Sequence, residues 1–517
     1  SKKDMRDGPS DCLPGIGDVL FRADASTQIG TGHVMRCLAL AQAWQEEGGR
    51  AVFAASVMMQ LLKARLQSEG IEVVRLSTCR GSDEDAIQTL ELARRMKAKW
   101  AVVDGYDFGA SYQRVIKDHG LRLISIDDNG DLSHYYADIV LNQNLHAREN
   151  LYADRDPCTQ LLLGTRFVLL RREFLKWRGW RREIPRVAQK LLVTFGGADP
   201  DNVTLKVIRA LQLVEATNLE VVVAVGAGNP HYEELQSAIQ KLRFPARLER
   251  NATDMPGLMA WADVAVSSAG TTSWELAFMG LPSLILALSA NQYPVAEALE
   301  MKGVAVNLAR NGNPSSSEIA TDTTALLGAE KERREMARRG QSLVDGRGTN
   351  RILMHVKGKE IKLRAVSEED CKLLWEWANS PEVRAASFSS EIIPWEQHAE
   401  WFRSKLSDPH CIMYVATNGQ GAPIGQIRYD IRDKEAVVSV SIDRKLRGMG
   451  YGSTLIYLSS QKLRHVSDVA TIHAYVKPHN EKSIRAFEKA GFQNAGTTTV
   501  HKYQAIHLLL RKEELTS

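Results

Sequence analysis

Short apolar runs alternate with amphipathic stretches through the first two thirds of the chain. Val19–Phe21, Trp100–Asp104 and Leu121–Asp127 have the length of buried strands, and Asp83–Met96 has helical spacing. Apolar strands separated by helices are typical of a parallel sheet with crossover helices. Further strands of this series are predicted at Arg50–Ala54, Val73–Leu76 and Ile139–Leu141.

The same alternation begins again at Lys190–Phe195. It predicts a second α/β domain, with a cleft between the two at the carboxyl ends of their strands. We place the Rossmann-like domains at residues 17–165 and 166–355. The elements predicted in the second domain are strands at Leu219–Val225, Val264–Val266 and Pro282–Leu288, and helices that begin near Asp201, Tyr232 and Thr272.

A third pattern follows a charge-rich stretch. Glu330–Arg339 is predicted to be a solvated helix face. A new strand pattern begins at Glu360–Arg364, and strict alternation at Val437–Asp443 predicts another strand. We therefore expect a third domain, of α+β type, at residues 356–517. Residues 1–16 are polar with Gly and Pro and are expected to be a disordered or expression-derived tail.

Length and charge exclude several classes of function. The 517 residues are enough for about three domains. Lys and Arg number 66 against 62 Asp and Glu, a formal net charge of +4, so no nucleic-acid partner is expected. The six cysteines are scattered without metal-ligand spacing, and no apolar run reaches the ~20 residues of a membrane span. We expect no metal, no membrane partner and a cytoplasmic location.

A glycine-rich turn, Gly30–His33, joins the first strand to the first helix. Glycines let the backbone approach a bound group, and the N–H groups that begin a helix favour an anion. A phosphate-bearing ligand is one interpretation, with His33 at the mouth of its site. The alternative is a turn that only connects strand and helix, with a structural histidine.

A second candidate nucleotide-binding turn lies in the second domain, between Val266 and Pro282. Its Ser, Gly and Thr residues lead from a strand into a helix, where backbone N–H groups and hydroxyls converge on a possible pyrophosphate position. Glu275 has two interpretations. It is either an acceptor for a ribose diol or an ordinary first-turn glutamate favoured by the helix dipole.

These turns resemble those of the GT-B glycosyltransferases. Ordered blocks over residues 17–355 resemble more closely the UDP-sugar hydrolases of pseudaminic acid biosynthesis, which cleave UDP from a 2,4-diacetamido-2,4,6-trideoxy-altrose. The blocks are Arg22–Ser26, Gly30–His33, Val103–Tyr106, Ile126–Asp128, Asp138–Asn144, Leu192–Gly197 and Asp345–Gly348.

The resemblance implies that water attacks the anomeric carbon and UDP leaves, with His33 as the catalytic base. Imidazole can accept a proton near neutral pH. Two Asp-x-Asp pairs, Asp154–Asp156 and Asp199–Asp201, suit a divalent ion in other folds, but no metal is expected here. A helix cap is the alternative role at Asn291 and Gln292. The substrate-binding residues implied are Gly30, Gly32, Asp104, Tyr106, Asn142, Gly196, Gly197, Ser268, Gly270, Thr271, Thr272, Glu275, Asn291 and Gln292.

The third domain carries Arg-x-x-Gly-x-Gly between a strand and a helix, at Arg444–Gly452. Together with Asn480–Phe492, this loop resembles the acetyl-CoA site of the GCN5-related N-acetyltransferases (GNAT). The resemblance implies acetyl-CoA as co-substrate, and an N-cap is the alternative role for Asn480. The cofactor-binding residues implied are Ile442, Arg447, Gly448, Met449, Gly450, Tyr451, Gly452, Asn480 and Ser483.

The sequence leaves several candidates for the acid that protonates the departing thiolate. Phe487 stands where this family often has a tyrosine, so Tyr475, His473 and a water are the candidates. Six aromatic residues form either an acceptor pocket or a helix-packing core, and the core is the favoured interpretation. They are Trp375, Trp377, Phe388, Trp395, Trp401 and Phe402.

The resemblance extends to the acetyltransferase of the same pathway, which acetylates the 4-amino group of a UDP-amino sugar and so makes the hydrolase's substrate. We interpret the chain as a bifunctional enzyme with both activities. The alternatives are a UDP-sugar glycosyltransferase fused to an unrelated acyltransferase, and a non-catalytic sensor of UDP-sugar and CoA. Nothing in the sequence indicates the oligomeric state.

Overall fold

The computed structural model describes residues 16–197, 199–226, 228–359, 361–419, 421–448 and 450–512. Residues 17–349 form one compact unit, and residues from 350 onward belong to a second. The expected tail, apart from Ile16, lies outside the described residues.

The first sheet contains seven parallel strands. They are β1 (Val19–Ala23), β2 (Ala51–Ala55), β3 (Glu72–Arg75), β4 (Trp100–Asp104), β5 (Arg122–Ile126), β6 (Ile139–Asn142) and β7 (Gln160–Leu163). Their order is β3-β2-β1-β4-β5-β6-β7, and β1, β2 and β4 are buried at every residue. The helices of this half are α1 (Gly32–Glu46), α2 (Gln60–Ser68), α3 (Asp83–Arg95), α4 (Ala110–Asp118) and α5 (Arg172–Leu175).

The second sheet repeats this plan with six parallel strands. They are β8 (Lys190–Thr194), β9 (Glu220–Val225), β10 (Ala246–Arg250), β11 (Val264–Ser268), β12 (Ser283–Leu286) and β13 (Ala305–Asn307), in the order β10-β9-β8-β11-β12-β13. Its helices are α6 (Val203–Leu211), α7 (Tyr232–Ile239), α8 (Met255–Trp261), α9 (Thr272–Phe278), α10 (Tyr293–Met301), α11 (Ser316–Gly328) and α12 (Glu330–Leu343). Two Rossmann-like sheets in one unit confirm the predicted GT-B fold class.

The charged helix α12 exposes most of its charges, as its pattern predicts. Arg333 is the exception, since its side chain is fully buried. Its guanidinium donates to the carbonyl oxygens of Leu326, Pro185 and Arg186. A cation that satisfies three backbone acceptors ties the helix to the chain segment before β8.

The second unit contains a mixed sheet. Helix α13 (Gly348–Gly358) spans the boundary between the units along the chain, and the later helices are α14 (Cys371–Ala378), α15 (Pro381–Ala386), α16 (Trp395–Leu406), α17 (Tyr451–Val466) and α18 (Glu481–Lys489). The strands are β14 (Lys362–Ala365), β15 (Cys411–Thr417), β16 (Pro423–Arg432), β17 (Glu435–Ile442), β18 (Thr471–Val476), β19 (Gln493–Val500) and β20 (Tyr503–Arg511). Their order is β14-β15-β16-β17-β18-β20-β19.

Strands β17 and β18 diverge. These two parallel strands pair at three positions, the last of which is Val437 opposite His473. Beyond that point Ser439 and Tyr475 lie on opposite sides of a widening gap. We call this gap the wedge.

The aromatic residues of the second unit divide into two sets. Trp377 and Phe402 are buried in a core with Met413 and Val415. Trp395 is 41% exposed and packs edge-on against Trp375. The predicted core role therefore holds for Trp377 and Phe402, whereas Trp395 remains accessible from solvent.

Candidate functional site

A cavity of about 1080 Å³ lies between the two sheets of the first unit, where the loops after their strands converge. Thirteen of the fourteen residues predicted to bind substrate line this cavity, together with His33. This placement follows from the parallel sheets, since the carboxyl ends of their strands collect the loops at one edge.

His33 is held by a carboxylate at the base of the cavity. It lies in the first turn of α1, and its Nδ1 is 2.6 Å from Oδ1 of Asp104, the last residue of β4. A carboxylate on Nδ1 fixes the tautomer that carries its proton there and leaves the Nε2 lone pair available to accept another. The predicted substrate residue Asp104 is 1% exposed and therefore serves to orient His33.

Arg36, one turn further along α1, joins two strands. Its guanidinium donates to both oxygens of Asp104, at 2.6 and 2.7 Å, and to both oxygens of Asp128, at 2.8 and 3.0 Å. Asp104 ends β4, and Asp128 follows the neighbouring strand β5. All three side chains are buried, so each charge depends on its partners for compensation.

Burial and pairing act in opposite directions on these carboxyls. Burial raises the pKa of Asp104, but the charge of Arg36 and the nearby His33 outweigh it and lower the pKa from its ordinary value. Burial likewise raises the pKa of Asp128, and Arg36 reverses the effect and holds that pKa far below its usual range. Both groups are therefore carboxylates at neutral pH.

Asn142 is the predicted substrate residue that does not line the cavity. It is fully buried at the end of β6, where its amide donates to the Tyr152 hydroxyl at 2.8 Å. Its side-chain oxygen accepts the N–H of Asn144 at 3.0 Å. Asn144 does line the cavity and donates to Asp128 at 2.9 Å. The prediction for Asn142 is thus corrected, because this residue supports the loop that carries Asn144.

A hydrogen bond crosses the cavity between the two sheets. Asn291 Nδ2 lies 2.6 Å from the Tyr106 hydroxyl, which in turn lies 3.2 Å from Asp128 Oδ2. The Tyr106 ring also packs edge-on against His33, with 5.1 Å between ring centroids. Tyr106 therefore connects the second sheet to the group of charges around His33.

The glycine-rich turns of the two halves face each other. A side chain on Gly197 would come within 2.3 Å of Thr31, and one on Gly32 would lie 3.3 Å from the Thr271 hydroxyl. The helices α1 and α9 begin at this point, so the positive ends of both dipoles lie at the cavity. The arrangement favours a negatively charged ligand.

Glu275 is paired with a cation that the sequence did not single out. Arg171 donates to Glu275 Oε1 at 2.8 Å and to Glu173 at 3.0 Å, and all three residues line the cavity. Burial raises the pKa of Glu275 despite this pairing. In the part of the chain that the structure describes, Arg171 Nε is buried without a hydrogen-bond partner.

The predicted cofactor loop of the second unit connects β17 to α17. Arg447 donates to the carbonyl oxygen of Ile442 at 2.9 Å and to the Ser380 hydroxyl at 3.0 Å. Gly448 and Gly450 have φ values of 82° and 80°, which glycine adopts without strain. Tyr451 and Gly452 open α17 directly after them. Met449 lies outside the described residues.

The structure also gives the contacts of Asn480, Phe487 and the two residues of β18 that are candidates for the acid. Asn480 caps α18, since its side-chain oxygen accepts the N–H of Ser483 at 3.2 Å, as the alternative interpretation stated. Phe487 is buried against Phe492 and carries no proton to donate. Tyr475 and His473 lie on β18, where both contact His507 of β20.

In each Asp-x-Asp pair, one carboxylate has a hydrogen-bond partner within the protein. Asp156 is 2.9 Å from His134 Nε2, and Asp199 accepts the N–H groups of Val203 and Thr204 and so caps α6. Among the described residues, no group of three or more His, Cys, Asp or Glu side chains could hold a metal ion. Over the same residues, no helix is long and apolar enough to cross a membrane.

Both units match known protein families. Residues 191–346 match the glycosyltransferase family 28 C-terminal domain, and residues 360–493 match the acetyltransferase (GNAT) domain. The chain is therefore a sugar-nucleotide-processing enzyme fused to a GNAT acetyltransferase.

Individual relatives cover most of the chain or one unit. An uncharacterized protein of Methanocaldococcus jannaschii is 23% identical over 91% of this chain and 95% of its own length. The UDP-2,4-diacetamido-2,4,6-trideoxy-beta-L-altropyranose hydrolase of Campylobacter jejuni is 25% identical over 56% of this chain and 98% of its own. The solved aminoglycoside acetyltransferase AAC(6')-Ib with coenzyme A is 22% identical over 29% of this chain and 95% of its own, with a TM-score of 0.27.

Proposed function

We propose that the second unit acetylates the 4-amino group of a UDP-4-amino-4,6-dideoxy sugar with acetyl-CoA, and that the first unit hydrolyses the product. That product is UDP-2,4-diacetamido-2,4,6-trideoxy-altrose, which yields UDP and the free sugar. The observation that carries the proposal is the His33–Asp104 pair at a cavity into which two helix N-termini point. The Campylobacter jejuni hydrolase, matched over nearly its whole length, supports the choice of reaction.

In the proposed hydrolysis, His33 Nε2 accepts a proton from water while the water oxygen attacks the anomeric carbon. The bond from that carbon to the UDP oxygen breaks, and UDP leaves with the electron pair. Asp104 stabilises the imidazolium that forms, and the N-termini of α1 and α9 favour the diphosphate charge.

In the proposed acetyl transfer, the loop from Arg447 to Gly452 holds the diphosphate of acetyl-CoA at the start of α17. The wedge between β17 and β18 admits the extended arm that carries the thioester. The amine attacks the acetyl carbon, and CoA departs as the thiol.

One substrate is enough to test both proposed reactions. The full chain is incubated with the UDP-4-amino sugar, with and without acetyl-CoA, and the masses of the products are followed. We expect UDP only when acetyl-CoA is present, after a mass gain of one acetyl group. UDP release without acetyl-CoA contradicts the order of the reactions, and no mass gain contradicts the acetylation.

A glycosyltransferase is the second candidate, because residues 191–346 match a glycosyltransferase family. A hydrolase releases UDP at its full rate in water alone. A transferase needs an acceptor, so UDP release that rises on addition of sugar or lipid acceptors favours this alternative.

Replacing Tyr106 by Phe tests the contact across the cavity. The variant keeps the ring beside His33 and loses the hydroxyl that contacts Asn291 and Asp128. We expect the KM for UDP release to rise about 2- to 10-fold, the value of one net hydrogen bond. Steady-state kinetics measure it, with Tyr293→Phe outside the cavity lining as the control. An unchanged KM contradicts a role for the hydroxyl in substrate binding.

Replacing Gly450 by Ala tests the cofactor loop. Gly450 has a φ of 80°, and a side chain in this left-handed region costs roughly 1–2 kcal/mol. We expect the KM for acetyl-CoA to rise about 5- to 30-fold, because the loop must change shape. The control is Gly419→Ala, since Gly419 has open space around its Cβ position. Equal KM values in the two variants would exclude the loop from cofactor binding.

A further inference from the structure

Three aromatic side chains are stacked on one face of the mixed sheet, beside the wedge. His473 Nδ1 lies 2.9 Å from His507 Nε2, and the two rings are nearly parallel. Tyr475 also stacks on His507, with 4.9 Å between centroids and 15° between planes. His507 is part of no motif in the sequence, and the pairing of β18 with β20 brings it here.

The stacked side chains lie on the face of the sheet opposite α17 and α18. On β18, His473 and Tyr475 alternate with Ile472, Ala474 and Val476, which pack in the core beneath α17 and α18. The histidines therefore point away from those helices. His473 is opposite Val437 at the last paired position, and Tyr475 lies just beyond it.

The neighbouring strands continue this face with polar groups. Ser439 and Ser441 of β17 are paired with Arg428 and Gln426 of β16, and all four are partly exposed. A partly open, polar surface next to the wedge suits a hydroxylated amine such as an amino sugar.

We propose that His507 is the base that accepts the proton of the attacking amine, and that His473 and Glu435 position it. This assignment rests on the proposed acetyl transfer and names the residue that makes its amine reactive.

One hydrogen bond and one neighbouring charge determine which nitrogen of His507 is free. Glu435 Oε2 lies 3.7 Å from His473 Nε2, beyond hydrogen-bond distance, and the negative charge of this carboxylate favours a proton on that nitrogen. His473 Nδ1 then accepts the N–H of His507 Nε2, which leaves the lone pair on His507 Nδ1. The titratable groups around His507 on these strands are His473 and Tyr475 of β18 and Glu435 of β17. Burial, followed by the charge of His473, lowers the pKa of His507, which keeps it neutral near pH 7.

The proton and electron balance is simple. The ammonium of the acceptor gives a proton to His507 Nδ1, and the neutral amine attacks the acetyl carbon. The C–N bond forms, the C–S bond breaks, and the sulfur leaves with the electron pair. The second proton of the nitrogen goes to the sulfur, so the products are the amide, the CoA thiol and one proton that His507 releases to water.

The test is His507→Gln in the full chain, with His465→Gln on the exposed face of α17 as the matched control. Acetyl transfer to the UDP-4-amino sugar and to glucosamine is measured from pH 5 to 9. We expect kcat/KM for the amine to fall about 100-fold. In the wild type, part of the rise in rate with pH should follow deprotonation of His507; we call this part the histidine limb, and the variant should lack it. The KM for acetyl-CoA should not change, and neither should UDP release from the diacetamido substrate.

Each of the other outcomes contradicts a different part of the proposal. A variant that keeps the wild-type rate, or is slow but keeps the histidine limb, overturns the assignment of His507. Wild type that acetylates glucosamine but not the UDP-amino sugar overturns the proposed substrate alone. Wild type that acetylates neither amine overturns both the proposed acetylation and this base.

Glu435→Gln covers the case in which His507→Gln loses acetyl-CoA binding. Glu435 is exposed, so its replacement leaves the core intact. We expect a shift of the histidine limb to lower pH and a fall in rate of about 2- to 5-fold, since the imidazolium loses a nearby negative charge. An unchanged limb overturns the relay through His473.

Discussion

UDP release is expected to fall about 100- to 10,000-fold when His33 is replaced by Ala. That range is the usual contribution of a positioned general base. The imidazole is fixed by Asp104 at 2.6 Å, and no other histidine is among the residues that line the cavity within the described chain. Discontinuous assays of UDP measure the rate, and titration calorimetry measures UDP affinity, which we expect to stay within about twofold.

The matched control for His33→Ala is His119→Ala. His119 is exposed at the end of α4 and contacts the carbonyl oxygen of Val115. This variant should retain wild-type turnover. If His33→Ala also retains it, His33 is not the base. A parallel loss of UDP affinity would instead assign His33 to nucleotide binding.

Replacing Arg36 by Met should destabilise the first unit by about 3–5 kcal/mol. That is the usual cost of removing one partner from a buried ion pair. Asp104 and Asp128 would remain buried with their charges uncompensated. Calorimetry of the full chain should show the melting transition of this unit lowered by roughly 4–7 °C, since the entropy of unfolding grows with the size of the unit. Arg50→Met is the control, since it removes an exposed pair with Glu72 that is worth less than about 1 kcal/mol.

The pH dependence of that destabilisation has a defined sign. In the wild type the pKa values of Asp104 and Asp128 are lowered, so their stabilising effect is present above the unfolded value, about 3.9, and is lost as the pH falls below it. Without Arg36, burial raises these pKa values, and protonation then stabilises the fold. The difference in melting temperature between variant and wild type should therefore shrink as the pH falls from 7 to 5. A constant difference would show that Arg36 acts through packing alone.

Sequence patterns predicted the central strands of the two parallel sheets and the edge strand β3, and missed the outer strands β7, β10 and β13. The central strands β1, β4, β8 and β11 each contain a run of three or four apolar residues, which sequence patterns detect well. The outer strand β10 was missed because Ala246–Arg250 is mostly charged and half exposed. No strand was predicted at β7, because its pairing with β6 is a long-range contact that local composition does not reveal.

The glycine-rich turns and His33 were sufficient to predict the position of the cavity from the sequence. The partners of His33 could not be predicted, because the order of the strands brings them together. Arg36 follows the motif directly, yet its role requires β4 and β5 to be adjacent. Arg171 reaches Glu275 across 104 residues. Asn142 was assigned to substrate because the resemblance covers its block, and the strand pleat points it inward instead.

Because Arg36 binds carboxylates at the ends of two neighbouring strands, the geometry around His33 depends on the correct pairing of those strands. The imidazole has its carboxylate partner only when β4 and β5 are paired in register and α1 lies across them. A chain that collapses with helices formed but with this strand pair unformed would keep most of its far-ultraviolet signal and lack the site. The rate of UDP release recovered after refolding would therefore measure the fraction of molecules with correctly paired strands. The helix content measured by spectroscopy would not.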